Sequence, residues 1–73
     1  MLGNLFKREG LSYVINGVEF KRARLKKKLT WRQCAEALDW DVVRVMNIER
    51  DERKHLVTEV IAIKIKEVLN YEN

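Results

Sequence analysis

Residues 30–50 read TWRQCAEALDWDVVRVMNIER, and this stretch decides the fold. Thr30 stands three residues before Gln33, the spacing of a capping box, in which two side chains satisfy backbone N–H groups at a helix start. Cys34, Ala35 and Leu38 follow as an apolar face, which predicts a short helix over 31–38. Asp39, Trp40 and Asp41 break the pattern. Asp41 is a good N-cap, and Val45 and Ile48 then recur at i, i+3, which predicts a helix over 42–50. The centre of the chain is thus two short helices joined by a tight turn.

Working outward, all three glycines (Gly3, Gly10, Gly17) lie at the N-terminal end, and the chain has no proline. This shift in composition divides an irregular N-terminal arm, residues 1–17, from a helical body, residues 18–73. Within the arm, residues 11–15 are short and β-branched, and Asn16-Gly17 is a turn signal. They fit either a brief strand or an ordered arm packed on the body. A helix is predicted over 18–27, with Phe20 and Ala23 inward; Lys26, Lys27 and Lys28 suit the negative pole of its dipole. Residues 51–55 read as a polar loop in which His55 is solvated. Thr58 is placed to cap a fourth helix over 59–71, with Val60, Ile61, Ile65, Val68 and Leu69 apolar. Ile61, Ile63 and Ile65 also alternate with period 2, as a strand would. Thirteen residues without Gly or Pro favour the helix. The expected fold is all-α: a compact four-helix domain with a helix-turn-helix, plus a short irregular arm.

Composition limits the function. The chain has 73 residues, one His and one Cys, with a formal charge of +4. This is one domain at most. Nothing positions a nucleophile with a base, and no metal-spaced Cys/His cluster or glycine-rich phosphate loop occurs, so no catalysis, metal or cofactor is expected. No apolar run approaches a membrane span. A lone Cys and no secretory pattern point to a reducing cytoplasm. A sequence pI near 9.5 in a small cytosolic domain points first to nucleic acid. Divided along the chain, the charge is less simple. Residues 18–38 carry +5, whereas residues 39–59 carry −2.

Segment 18–50 resembles the Cro/CI-type helix-turn-helix domains of phage and bacterial repressors. The resemblance rests on Phe20, Arg24, Thr30, Ala35, Leu38, Val45, Ile48, Glu49 and Arg50 in ungapped register, and Leu69-Asn70-Tyr71 resembles the usual end of the family's fourth helix. It implies that Arg24 and Glu49 form a structural ion pair across the fold. It also implies that Val42, Val43, Arg44 and Asn47 face the major groove. Arg44 suits guanine, Asn47 suits adenine and the valines suit thymine methyls. Arg32, Arg50, Arg53 and Lys54 would hold phosphates.

Four positions depart from the family, the first being Cys34, which replaces a Leu and is expected to be a small core residue. Trp31 replaces a Gln that grips the backbone, Asp39 replaces the turn Gly, and Trp40 replaces a small apolar residue and is expected to cover the edge of the core. Asp39 and Asp41 would repel nearby phosphates. Two functional expectations follow, both for a small phage-type regulator of a genetic switch in a bacterial host cell. The first is operator binding to double-stranded DNA through the third helix, as a homodimer paired through Ile63 and Leu69 of the fourth helix or through the arm. The second is an antirepressor that covers a partner phage repressor's DNA-reading domain. Its interface would use Trp31, Trp40, Val42 and Val43, with Asp39, Asp41, Asp51 and Glu52 meeting basic groups.

Overall fold

The computed structural model describes residues 4–50 and 53–71. Asp51 and Glu52 lie outside the described residues. Four helices form where the caps call for them. In α1 (Gly17–Lys26) the Asn16 side chain accepts the backbone N–H groups of Val18 and Glu19. The start of α2 (Trp31–Leu38) carries both halves of the capping box: Gln33 N–H donates to Thr30 Oγ1, and Thr30 N–H donates to Gln33 Oε1. Asp39 ends α2 in the left-handed conformation, at φ 59°. In α3 (Val42–Arg50) Val43 N–H donates to Asp41 Oδ1 at 3.0 Å. Thr58 caps α4 (Glu59–Leu69), which Asn70 ends at φ 50°. Residues 60–66 are therefore helical, and α4 stops two residues before the expected end.

The all-α expectation is overturned by a three-stranded antiparallel sheet. It consists of β1 (Phe6–Glu9), β2 (Ser12–Ile15) and β3 (Leu56–Val57), in the order β1-β2-β3. The arm is thus a β-hairpin, paired through β2 to a short strand that lies between α3 and α4 in the chain. The fold is α+β.

The reason is coverage. Four short helices leave an open core face, and Leu5, Phe6, Ile15 and Val57 fill it, all buried. Phe6 pairs directly with Ile15, and Tyr13 with Val57, so these four share the inner face. Tyr13 meets Phe6 edge-on, with ring centroids 6.2 Å apart. Its hydroxyl donates to Glu59 Oε2 at 3.3 Å and ties the sheet to α4. Gly10 and Leu11 make the two-residue hairpin loop. Gly10 has φ +62° while Leu11 has no positive φ, which fits a type II′ turn with glycine at its first central position.

The helices contribute Phe20, Ala23, Cys34, Ala35, Leu38, Val45, Ile48, Ala62, Ile65 and Leu69 to the same core. Leu69 is buried, so it cannot meet a second copy. On α4 the exposed apolar side chains are Val60 and Ile63. Trp40 is half-buried against the core edge. No helix among the described residues is long and apolar enough to cross a membrane.

Candidate nucleic-acid interface

The turn between α2 and α3 sets the geometry of the outer face of α3. The left-handed Asp39 reverses the chain, and Trp40 N–H donates back to Ala35 O at 2.8 Å. Asp41 then caps α3, so its carboxylate sits against the positive end of the helix dipole. The acid expected to repel phosphate is thereby partly neutralised by the helix that it starts.

The Arg24–Glu49 pair implied by the resemblance lies away from this turn, between the start of α2 and the end of α3. Arg24 Nε donates to Glu49 Oε2 at 2.5 Å, and its second terminal nitrogen donates to Glu49 Oε1 at 2.9 Å. The remaining terminal nitrogen donates to Leu29 O at 2.7 Å. Both side chains are almost fully buried. Such a pair costs desolvation, and its value lies in fixing how α1 and α3 cross.

Trp31 belongs to this cluster. Its indole Nε1–H donates to Glu49 Oε1 at 3.1 Å, and the Arg24 guanidinium carbon lies 5.8 Å from the ring centroid. One face of the ring remains open, with the residue 42% exposed. Trp31 is therefore first a lid on the ion pair, a role that no local pattern of residues marks.

A shallow cleft of about 520 Å³ runs along α3. Asp41, Val43, Arg44 and Asn47 line one wall, and Arg53, Lys54, His55 and Leu56 line the other. Asp41, Val43, Arg44, Asn47, Arg53 and Lys54, all singled out for binding, thus share one depression, although the loop after α3 separates them in sequence. Four others lie elsewhere. Val42 is half-buried against the core, Trp31 covers the ion pair, and Arg32 and Arg50 are exposed outside the cleft.

Chain comparisons with family models, with curated proteins and with solved structures find no match. The reading of the cleft therefore rests on its own chemistry.

Two residues that line the cleft, His55 and Leu56, and one contact beside it, between Trp40 and Arg44, lie outside the sequence expectations. Trp40 carries Arg44: the guanidinium carbon stands 4.2 Å from the ring centroid. A guanidinium stacked in this way keeps the donors on its edge available. His55 is not a solvated loop residue. It is half-buried, its carbonyl accepts Ile15 N–H at 3.0 Å, and its Nε2 is buried without a hydrogen-bond partner. Leu56, half-exposed, forms an apolar edge opposite Val43. For Trp40 the signal was its four-residue spacing from Arg44. For His55 and Leu56 no signal existed, because a two-residue strand leaves no periodicity.

Lys54 Nζ meets the Glu9 carboxylate at 3.0 Å. Both groups are exposed, so the pair is worth little and is easily exchanged for a phosphate. Cys34 sits at the centre of the core, and burial pushes its thiol up to about 11; nearby Arg24 lowers it and Glu49 raises it to a lesser degree. It is packing, not a reactive group. Among the described residues no cluster of His, Cys, Asp and Glu is arranged to hold a metal ion.

Proposed function

We propose that the protein is a small helix-turn-helix regulator of Cro/CI type that binds double-stranded DNA through the outer face of α3. The observation that carries this reading is the joint lining of the α3 cleft. Arg44 and Asn47, whose side chains suit base edges, share it with Arg53 and Lys54, whose charge suits phosphate. Among the described residues the cleft is lined by three cations, one of them paired with Glu9, and by one carboxylate, which is engaged as a helix cap. The same charge counts against a basic protein surface as the partner.

The antirepressor reading keeps one supporting observation. Val43 is 54% exposed and Trp31 42% exposed, large apolar side chains of the kind that centre protein interfaces. One experiment separates the two. A duplex is selected from a random pool with the protein alone, then titrated by band shift with and without a phage repressor on that repressor's operator. Sequence-selective binding by the protein alone is expected. Release of the repressor without any duplex binding would reject DNA binding in favour of the antirepressor.

A further inference from the structure

The β1–β2 hairpin has a feature that the sheet does not need. Its tip residue, Leu11, is 91% exposed, the most exposed large apolar side chain among the described residues. A polar residue would serve the turn equally well, since Gly10 alone supplies the required positive φ. Two cations, Lys7 and Arg8, stand on the exposed edge strand just before the tip. Arg8 Nε donates to Gly10 O at 3.2 Å, which folds its cationic head back along the loop toward the tip.

The hairpin is also tied to the cleft. Glu9, the residue before the turn, holds Lys54, which lines the α3 cleft. That link spans 45 positions of sequence. It places the basic strand and its apolar tip on the margin of the surface proposed to meet DNA. Glu9 is the one acid on β1, and in the free protein it pairs with Lys54.

We propose that this hairpin is a second DNA-contacting element, a β-ribbon that reaches the minor groove flanking the major-groove segment read by α3. Arg8 and Lys7 meet the phosphates at the groove edge, and Leu11 lies against the groove floor or a base step. The physical warrant is that minor-groove contacts are made by cations and apolar wedges carried on arms and ribbons. This inference rests on the DNA-binding reading. It adds a contact outside the helix-turn-helix and gives the N-terminal residues a role beyond covering the core.

The test uses the full chain and the duplex selected by the wild type. Hydroxyl-radical footprinting reports the minor groove, and guanine-methylation protection reports the major groove. Arg8→Gln and Leu11→Ser change only exposed side chains, and circular dichroism checks that each variant keeps its fold. The expected result is a flanking minor-groove footprint in the wild type. It is lost in the double variant, which binds about tenfold more weakly, while guanine protection persists. Arg8→Gln alone should lower the slope of log affinity against log salt by about 1. A minor-groove ligand such as distamycin should compete with the wild type more than with the double variant. Unchanged footprint, affinity and salt slope in the variants would overturn the hairpin contact and leave the α3 reading intact. Failure of the wild type to select any duplex would overturn both.

Discussion

The guanidinium carbon of Arg44 lies 4.2 Å from the centroid of the Trp40 ring, so the residue proposed to read guanine rests on the turn between α2 and α3. An arginine held this way loses less freedom on binding than one moving in solvent. Lysine cannot reproduce its planar fork. Arg44→Lys should therefore lose discrimination at one guanine by about 1–3 kcal/mol, and Trp40→Phe, which keeps an aromatic platform, should keep most of it. Band shifts against single-base-pair variants of the selected duplex measure both. Equal discrimination by Arg44→Lys and the wild type would remove the base-reading role.

Glu49 accepts three hydrogen bonds, two from Arg24 and one from the Trp31 indole. Glu49→Ala strands the buried Arg24 charge and should cost about 3–5 kcal/mol. Trp31→Phe removes one bond and should cost about 1 kcal/mol. Replacing Arg24 and Glu49 together by Met and Leu should be far less damaging than Glu49→Ala. Urea unfolding of the four proteins gives the comparison. A double replacement as unstable as Glu49→Ala would mean that the pair does more than fix geometry.

The helices were legible because their ends are written in single residues. Thr30 with Gln33, Asp41 and Thr58 each mark a start with a side chain that the structure uses for that purpose. The sheet was not legible. Three of the four β1 residues are charged and read as solvent-facing, and Leu56–Val57 is too short for alternation to be seen. Only residues 11–15 hinted at it, and a strand cannot be placed without its neighbours. The cleft was legible as a list of side chains but not as a place. What brings Arg53 and Lys54 beside Arg44 and Asn47 is the chain's return to β3, a long-range pairing with no local signature.

Asp39 holds a left-handed φ of 59°, where an ordinary L residue is strained and glycine is not. Asp39→Gly should be neutral to stabilising, by up to about 1 kcal/mol, and Asp39→Val should be destabilising by more than that. The order of the thermal midpoints checks this. A glycine variant less stable than the valine variant would contradict the capping geometry.

Cys34 gives a pH dependence with a definite sign. Burial raises its thiol from 9.0 to about 11, so between those values the folded protein holds a proton that the unfolded chain gives up. That contribution is fully present below about pH 9 and is lost as pH rises through 11, amounting to roughly 2–3 kcal/mol. The difference in unfolding free energy between the wild type and Cys34→Ala should therefore move toward the alanine variant across pH 9–11. A difference that stays flat over that window would show that the thiol is not desolvated as the fold implies.

The most direct test compares Arg44→Ala and Lys54→Ala on the selected duplex and on random DNA, over a range of salt. Arg44→Ala should weaken the selected site by about 1–3 kcal/mol and barely affect random DNA. Lys54→Ala should weaken both alike and reduce the salt slope by about 1. If Arg44→Ala weakens both duplexes equally, or neither, α3 does not read the operator and the proposed interface is wrong.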